Sequence, residues 1–523
     1  MTGTGTFLGI FLRRDRWIYL WWGIGVAVLY VSQAWSVDGL YATQAEFDKA
    51  AASMEGNAAL VAMAGPARAL NSTGGQVTWQ AAAFGAICAG LMSMFIVGRH
   101  TRAEEESGRD ELLRAAPVGR HAPMTAALLD ALIANVLLGV LVAGSLAAYG
   151  LAVADSLGLG VGLTLTGWFF TGTALVAVQL TTSTRAAYGL AGGVIGVAYG
   201  LRAIGDVSAP VLSWLSPIGW YQAIHAFSGL RWWPLLVTAV ATVAVVASAV
   251  AVFDRRDFGS GVLPPRPGPA RAEPRLASGL GLAWRLQRPV VTGWAIGLLL
   301  GGLGFGALGD GVGDLVGDSS YSRDVLLHGT ADVVDGFYAT MIVMLALLAA
   351  GFSISSALRP RSEEDDGRVE PLLATGLTRS AWLGGHVAVT VAGTVLVLAL
   401  AGLGLGTSYA LVTGDAGAVL RLSVPVLSYA PAVLVLSGLA RLLHGVAPRV
   451  AVLAWLGLLL AWVVLLFGGS LGLPRWLRDL SPFEHLALVP LEDFRWAPFL
   501  VLTLVAAALS VAGRFAFRRR DLH

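Results

Sequence analysis

Charge, lysine and cysteine are all scarce in this sequence. Only 13% of the 523 residues are charged, whereas about 25% is usual in soluble domains, and 56% are hydrophobic with a mean hydropathy of +0.71. This composition excludes an ordinary soluble protein. The single cysteine, Cys88, excludes an intrachain disulfide and a thiolate metal cluster. The single lysine, Lys49, stands outside any GxxxxGK[ST] motif, so this chain has no phosphate-binding loop of that type.

Motifs for enzymatic chemistry are missing as well. The eight histidines are scattered, and neither HExxH nor another metal-ligand spacing occurs. No GxSxG or comparable nucleophile motif is found. Basic residues stand at the ends of apolar runs, which gives no support to nucleic-acid binding. We therefore expect this chain to be no enzyme, with no catalytic residue, no metal, no cofactor of its own and no nucleic-acid partner.

Apolar runs dominate what is present, and twelve are close to the roughly 20 residues that a membrane helix needs. Because a helix satisfies its own backbone hydrogen bonds in lipid, the pattern predicts an all-α polytopic membrane protein. Six spans are predicted in the first half, at about 17–34, 77–97, 124–154, 161–181, 187–204 and 233–253. Six more are predicted at about 290–308, 337–358, 381–412, 419–439, 450–467 and 497–512.

Arginine marks one side of the predicted membrane. Positive residues in short loops stay in the cytoplasm, and the arginine-rich segments all fall on that side if the N-terminus is inside. The loop 309–336, on the other side, is acidic. We therefore expect both termini in the cytoplasm, with membrane lipids as neighbours. Near-complete use of arginine over lysine, with abundant alanine and glycine, suggests a high-GC bacterium and hence the bacterial cell membrane.

The chain contains an internal repeat. The charged segment 101–120, TRAEEESGRDELLRAAPVGR, returns at 361–379 as RSEEDDGRVEPLLATGLTR. Because each half has an even number of spans, both halves enter from the cytoplasm, which predicts a parallel repeat. The predicted domains are a six-helix unit at 1–253, a proline-rich cytoplasmic linker at 254–279 and a second six-helix unit at 280–523. Other recurrences are Arg13, Arg16 and Trp22 as Arg285, Arg288 and Trp294, Leu215 to Pro217 as Leu480 to Pro482, and Phe253 and Arg256 as Phe517 and Arg520.

Two further kinds of segment occur once in each half. Before the first span, arginines alternate with aromatic and leucine residues, which fits either a short amphipathic helix in the interface or plain stop-transfer charge. Segments 207–232 and 470–496 are too apolar for ordinary loops and contain Ser-Pro turns, which is typical of re-entrant hairpins. The arginines of the predicted interfacial helices are Arg13, Arg14 and Arg16 in the first half and Arg285 and Arg288 in the second.

The repeated charged segment predicts a compact cytoplasmic element. Thr101 and Glu104 have capping-box spacing, and Ser362 with Asp365 gives a weaker version. Acidic residues suit the first turn of a helix, and a glycine then allows the chain to turn before a second short helix. A solvated charged loop is the simpler alternative, but it does not explain consecutive acids in both halves. Candidate docking residues are Glu104, Glu105, Glu106, Arg109 and Glu111, with Glu363, Glu364, Arg368 and Glu370 in the second copy.

The acid pair, glycine, acid, Leu-Leu, Ala-Pro and closing arginine of EESGRDELLRAAPVGR resemble the cytoplasmic signature of ABC-2-type transporter permeases. The form EExGRxE is similar to an actinobacterial group described as exporters of polyketide antibiotics, related to tetronasin resistance permeases. The resemblance covers nearly the whole chain, since that family also has an interfacial helix, a coupling helix and a re-entrant segment in each six-span unit. The second copy departs from the pattern, because Pro371 replaces Leu112 and Gly376 replaces Pro117.

The resemblance implies a type V exporter-like fold and the permease component of an ATP-driven exporter of hydrophobic or amphipathic, antibiotic-like molecules. It also implies two copies of a separate ABC ATPase, which would bind the ATP and magnesium and dock on segments 101–120 and 361–379. An ion-coupled secondary transporter is the alternative, since parallel six-span repeats occur there too. A membrane enzyme acting on lipids would need a clustered acid or metal motif at an interface, and none is visible.

Polar residues within spans are functional candidates because they are costly in lipid. Asp130, near the cytoplasmic end of its span, could make a helix–helix hydrogen bond or contact substrate. Arg202, His386 and Arg421 lie near span ends, where reaching an interface is the simplest expectation. Residues of a possible substrate path are Asp130, Asn135, Trp168, Phe169 and Gln179.

Overall fold

The structure is a computed structural model that describes residues 2–38, 43–55, 58–109, 117–257, 259–263, 271, 273–309, 333–467 and 473–520. In these ranges the regular structure is helical. The chain divides into two compact units, Met1–Gly268 and Pro269–His523. Their boundary falls inside the segment 254–279 that proline content marks as a linker, and each unit is described below by itself.

The first unit contains long helices joined by short ones. Serine caps start two of the long helices, since Ser72 and Ser183 each accept a hydrogen bond from a free backbone N–H in the first turn. In chain order the helices are α1 (Thr4–Asp38), α2 (Gln44–Glu55), α3 (Ala58–Ala64), α4 (Thr73–His100), α5 (Arg102–Glu106), α6 (Ala122–Tyr149), α7 (Val153–Leu180), α8 (Thr184–Val207), α9 (Pro210–Ser213), α10 (Pro217–Gln222) and α11 (Trp233–Arg255).

The second unit follows the same order of long and short helices. Three short 3-10 turns, Pro274–Ala277, Pro448–Leu453 and Pro482–His485, begin at prolines, which lack the N–H that a first turn leaves unpaired. Its helices are α12 (Gly279–Gly306), α13 (Val333–Ala357), α14 (Arg359–Asp365), α15 (Val369–Leu373), α16 (Arg379–Thr413), α17 (Ala418–Ser428), α18 (Ala430–Val446), α19 (Ala454–Phe467), α20 (Arg475–Arg478) and α21 (Trp496–Arg519).

Twelve candidate membrane spans are present among the described residues, six in each unit. The prediction of an all-α polytopic membrane protein is therefore confirmed. In both units the second span is the most buried, at 72% and 78% of its apolar window, whereas the sixth is 17% buried. The second span therefore forms the centre of each unit, and the sixth lies at its edge with an apolar surface for lipid.

Glycine allows helices of the second unit to touch along their backbones. A Cβ added at Gly302 of α12 would lie 2.1 Å from the Ala401 carbonyl oxygen, and one at Gly404 of α16 would lie 2.4 Å from the Leu299 oxygen. Such contacts between small residues drive helix association in membranes, where no hydrophobic effect operates between helices and lipid. In the first unit, Gly139 and Gly160 make one comparable contact between α6 and α7.

The predicted interfacial helices are not separate elements. α1 runs without a break from Thr4 through Arg13, Arg14 and Arg16 into the first span, and α12 includes Arg285 and Arg288 in the same way. Both helices are continuous even though α1 contains Gly23 and Gly25 and α12 contains Pro289. These arginines therefore lie in the N-terminal parts of long helices, and their place in the membrane interface stays a prediction.

The apolar segments that precede the sixth span are broken, as the Ser-Pro turns predict. In the first unit, α9 and α10 are separated at Ser216, whose hydroxyl accepts from the N–H groups of Ile218 and Gly219. In the second unit, described residues 473–496 form α20 and a 3-10 turn at Pro482. The two segments thus place short helices beside the start of the last span in each half.

Candidate functional site

The charged segment 101–120, here called the first coupling element, begins where α4 ends. The Thr101 hydroxyl donates to the Val97 carbonyl oxygen at 2.6 Å and caps no N–H of α5. The predicted capping box is therefore wrong, because α4 reaches His100 and the hydroxyl bonds back into its last turn. Gly108 then takes a φ of +72°, the left-handed conformation that the turn prediction requires. Glu111 lies outside the described residues.

Glu105 lies inside the first coupling element rather than on its surface. One carboxylate oxygen accepts from Arg102 at 2.7 Å, and the other pairs with Arg256 at 2.5 Å. Arg256 is the residue that ends the last helix of the unit, α11. Arg120, the last residue of the element, donates to the carbonyl oxygens of Phe253 and Arg256 at 3.2 and 3.1 Å. The element thus holds the end of the sixth span at two points.

The second coupling element, residues 361–379, repeats this arrangement. Glu364 pairs with Arg520 at 2.6 Å, and Arg520 ends the last helix, α21, as Arg256 ends α11. Arg379, the last residue of the element, donates to the carbonyl oxygen of Arg520 at 2.8 Å. We call these two arrangements clasps, each made of a glutamate, a closing arginine and the arginine that ends the sixth span. The clasp residues are Glu105, Arg120 and Arg256 in the first unit and Glu364, Arg379 and Arg520 in the second.

Two further acids of the first coupling element connect it to other helices. Glu104 pairs with Arg14 of α1 at 2.7 Å and lies 3.9 Å from Arg109. Glu106 accepts from the backbone N–H and the hydroxyl of Thr184 at 2.9 and 2.7 Å, at the start of α8. A carboxylate at a helix N-terminus is favoured by the helix dipole. The side chain of Arg109 is 65% exposed, which leaves it available to a partner.

The second coupling element pairs its matching acid differently. Glu363 is buried and pairs with Arg359, at the start of α14, and with Arg368 of its own element. The hydrogen bond to Glu363 raises the pKa of the Arg368 guanidinium above its ordinary value. Glu370 and Asp365 are exposed. Arg368 is exposed as Arg109 is, so the described parts of the two copies differ mainly in the additional exposed carboxylates of the second element.

A buried ionic network lies next to the first coupling element. Asp15 of α1 pairs with His100 at 2.6 Å and with Arg99 at 2.8 Å, and Asp130 of α6 accepts from the Tyr19 hydroxyl. Asp130 is also 3.7 Å from His100. Ligand atoms of Asp15, His100 and Asp130 lie within 4.8 Å of one another, a spacing that could hold a cation. Arg99 already supplies a positive charge next to Asp15.

The second unit carries an uncharged counterpart of this network. Gln287, which stands where the repeat places Asp15, is hydrogen-bonded to His386 at 3.0 Å and accepts from Ser356 at 2.5 Å. Ser356 is in turn 2.8 Å from the Thr390 hydroxyl. His386 is buried, so the expectation that it reaches an interface is wrong. The hydrogen bond with Gln287 gives one ring nitrogen of His386 a partner that carries no charge.

Other predicted path residues mainly join helices. Asn135 is buried and donates to the Ser93 hydroxyl at 2.9 Å, and the Trp168 indole donates to the Leu132 carbonyl oxygen at 3.1 Å. Phe169 packs edge-on against Trp220 of α10. Gln179 is buried beside the Met124 sulfur. Each of these contacts joins its residue to a neighbouring helix.

Arg202 also departs from its sequence-based expectation. It is fully buried and donates to the carbonyl oxygens of Val61 and Met63, and it pairs with Asp206 at 3.5 Å. Both acceptors lie in α3, so the arginine ties α3 to α8. Arg421, by contrast, is 42% exposed and pairs with Asp335.

Sequence reasoning missed the partners of the predicted acids. Arg256 lies 151 residues from Glu105, and Asp15 lies 115 residues from Asp130, so no local pattern joins them. One signal was available: Arg256 and Arg520 repeat in step with Glu105 and Glu364. A pair of opposite charges that recurs at the same two places in both halves is a reason to expect contact.

Twelve apolar helices in two like units, with a charged coupling element after the second span of each, define a membrane permease of the ABC-2 type. A family model described as "Multidrug efflux system permease Rv1217c, C-terminal domain" matches residues 276–518. The chain is also 38% identical over 530 residues to multidrug efflux system permease protein Rv1217c of Mycobacterium tuberculosis, with 100% of this chain and 95% of that protein covered. The chain therefore belongs to this family of efflux permeases and is a multi-pass membrane protein.

Proposed function

We propose that this permease exports hydrophobic or amphipathic small molecules with energy from ATP hydrolysed on a separate protein. The chain has no lysine in a phosphate-binding loop, so ATP and magnesium would be bound by that partner. The related permease Rv1217c is named as part of a multidrug efflux system, which supports the substrate class. Two ABC ATPase subunits, one for each coupling element, would match the internal repeat.

The clasps carry this proposal. Each coupling element is joined by ion pairs and carbonyl contacts to the end of its own sixth span, at Arg256 or Arg520. A force applied to the element would therefore reach a membrane helix directly. ATP-driven closure of the ATPase pair would then favour one conformation of the permease by binding it more tightly than the other.

The proposed docking surface consists of the outward-facing charges. Among the described residues these are Arg109 and Glu106 in the first element and Arg368, Asp365, Asp366 and Glu370 in the second, whereas Glu105 and Glu364 face inward. The elements, both termini and the linker would lie in the cytoplasm, where the arginine distribution puts them. The unequal surface charges predict unequal docking of the two ATPase copies.

A direct test combines the purified permease with its ATPase. Charge reversal at Arg109→Glu, or at Asp365→Arg with Glu370→Arg, should weaken ATPase binding and transport while leaving the permease folded. Arg13→Glu, which is exposed on α1, is the matched surface control. Binding of the ATPase that no reversal weakens would contradict the docking surface. ATP-independent transport by the permease alone would contradict the energy source.

One observation favours the alternative of an ion-coupled secondary transporter. Asp15, His100 and Asp130 form a buried group that could carry a proton, where sequence alone indicated only Asp130. Transport in proteoliposomes separates the two readings, since a proton gradient without ATP should drive export only in the alternative. Asp130→Asn should then abolish gradient-driven transport, whereas an ATP-driven exporter should retain ATP-dependent transport.

A further inference from the structure

A cavity of about 520 Å³ lies in the first unit, at the end of the helices opposite to the first coupling element. α4 begins at this cavity, where Thr78 and Trp79 line it, and ends at the coupling element. α11 likewise starts at the cavity with Trp233 and ends at the clasp. Small-molecule sites have volumes of about 300–1,000 Å³. The cavity is therefore large enough for an organic ligand and separate from the coupling element.

The cavity has an excess of basic groups. Arg68, His225 and Arg231 line it, and Asp206 is the one acidic residue among its described lining. Asp206 is already engaged, because it pairs with Arg202 and accepts from the Ser213 hydroxyl at 2.6 Å. In the part of the chain that the structure describes, neither Arg68 nor Arg231 has an ion-pair partner. The cavity therefore presents unneutralised positive charge.

The pKa of a buried histidine, His225, is affected by this positive charge. His225 has 9% of its surface exposed, and burial together with Arg68 and Arg231 lowers its pKa from 6.5 to about 4. The histidine is therefore neutral at physiological pH and adds a hydrogen-bonding group to the cavity wall that the two arginines also line. An anion placed in the cavity would meet two guanidinium groups, which bind carboxylates and phosphates well.

Tryptophan forms the apolar part of the cavity wall. Trp214 and Trp233 stack with ring centroids 5.1 Å apart, yet 42% and 52% of their surfaces remain exposed. Trp79 lines the same cavity and is held by a hydrogen bond from its indole to the Gly65 carbonyl oxygen at 2.8 Å. Exposed tryptophan at a span end sits well at a membrane interface. The wall therefore suits a hydrocarbon or aromatic group attached to a charged head.

Backbone strain is concentrated around the same cavity. Among the described non-glycine residues, Ala69, His225 and Phe227 have φ of 46°, 55° and 59°, in the left-handed region that side chains disfavour. Ala69 follows Arg68, and His225 itself lines the cavity. Asp155 holds this loop by accepting from the Phe227 N–H at 2.8 Å. Such strain persists where surrounding structure imposes it and clusters at ligand sites.

The second unit offers an internal comparison. Its segment before the sixth span carries Arg475, Arg478 and Arg495, and the last two have a carboxylate partner. Arg478 pairs with Glu484 at 2.7 Å, and Arg495, next to the first residue of α21, lies 3.5 Å from Glu492. The repeat thus provides the same kind of segment twice: among the described residues, two arginines are paired with carboxylates in the second half, whereas Arg231 has no carboxylate partner in the first.

We propose that the cavity of the first unit binds an amphipathic anion, whose negative head lies between Arg68 and Arg231 and whose apolar part lies against the tryptophans. The occupant is either an anionic lipid or a soluble amphiphile with a carboxylate or phosphate head, since both present the same chemistry. Calling it an exported substrate would rest on the function proposed above. Binding itself requires neither ATP nor a partner, so its failure would leave the export proposal standing.

Binding is tested on the full chain in phosphatidylcholine nanodiscs by isothermal titration calorimetry. Laurate should bind more tightly than uncharged lauryl alcohol. The double variant Arg68→Gln/Arg231→Gln should bind laurate about tenfold more weakly, as expected for two partly exposed ion pairs. The matched control, Arg478→Gln/Arg495→Gln in the second unit, should leave laurate binding unchanged. The charge-keeping variant Arg68→Lys/Arg231→Lys should retain most of the binding.

Phosphatidylglycerol in the nanodiscs distinguishes the two sources. If this lipid competes with laurate in the parent protein but not in the glutamine double variant, the occupant is a lipid headgroup. If it does not compete, while laurate still depends on Arg68 and Arg231, the occupant is a soluble amphiphile. Equal binding of laurate and lauryl alcohol, or undiminished laurate binding by a folded glutamine variant, would overturn the proposal.

Discussion

The two halves of this permease agree at their coupling elements and differ in what lies beside them. Each half links a glutamate and a closing arginine to the end of its sixth span. Next to that shared link, the first half buries Asp15, His100 and Asp130, whereas the second buries uncharged Gln287. The difference separates what a six-span unit needs in both copies from what the first copy has acquired alone.

Because both halves keep this link, we assign it to the transmission of force from the coupling element to the membrane helix. The unshared features concentrate in the first half, which has the buried ionic network, the contact between Arg14 and Glu104, and the basic cavity. The second half buries charged residues of its own, Glu363 and Arg441, so the two halves differ in where their buried charges lie.

The largest effect should come from the network found in the first half only. Asp15→Leu leaves Arg99 and His100 without their carboxylate, and breaking a buried pair by removing one partner costs about 3–5 kcal/mol. Gln287→Leu, its counterpart, removes only neutral hydrogen bonds and should cost about 1–3 kcal/mol. Unfolding titrations in mixed micelles measure both. Equal losses in the free energy of unfolding would contradict the distinction between the buried ionic network and its uncharged counterpart.

A second large loss of stability should follow from a substitution in the helix contacts of the second half. Gly404→Leu forces a side chain into the backbone of α12, and overpacking of this kind costs about 3 kcal/mol or more. Gly304→Leu is the control, because nothing lies within 4 Å of a Cβ added there. Thermal unfolding should show a clear fall in Tm for the first variant and little change for the second.

The clasps should respond in both halves, though not equally. Glu105→Gln removes the charge that faces buried Arg102 and Arg256, and we expect a loss of about 2 kcal/mol, within the range for hydrogen bonds to charged groups. Glu364→Gln should cost less, because Arg520 is 19% exposed against 4% for Arg256. A double-mutant cycle with Arg256→Gln gives the pair energy. A coupling energy of zero would show that the pair has no role.

The smallest effect should come from the surface contact that only the first half makes. Arg14→Ala loses the ion pair with Glu104, and since Arg14 is 39% exposed the cost should be below about 1 kcal/mol. High salt should shrink this difference further. Arg13→Ala, on the same exposed turn, gives the baseline. A Tm shift for Arg14→Ala that salt does not change would contradict this interpretation of the contact as a screened ion pair.

Hydropathy and repetition were sufficient to predict the twelve spans and the all-α class. An apolar run of about 20 residues has few structures other than a helix that satisfy its backbone hydrogen bonds in lipid. The turn at Gly108 was predictable for a similarly local reason. The failed capping box at Thr101 shows the limit: its spacing is right, but α4 extends to His100 and uses the hydroxyl for its own last turn. Local spacing does not reveal where the preceding helix stops.

The sequence predicted where the candidate site lies along the chain, but not which way its acidic side chains face. Charge alone suggested that Glu105 and Glu364 face a partner, whereas they face arginines at the ends of distant helices. Which side of a short helix is buried depends on what packs against it, and those neighbours are more than 150 residues away along the chain. The basic cavity depends likewise on segments brought together only by the fold.

The glycine contacts of the second unit have a mechanical consequence. α16 touches α12 through Gly302 and Gly404, and touches α17 through Gly402, all with a carbonyl oxygen or backbone atom against the glycine. Helices in such backbone contact have no side chains between them to slide or change rotamer, so we expect these three to move as one rigid slab. Bending in this half would then be left to the chain at its margins, such as Gly414, where α16 ends with a φ of +78°.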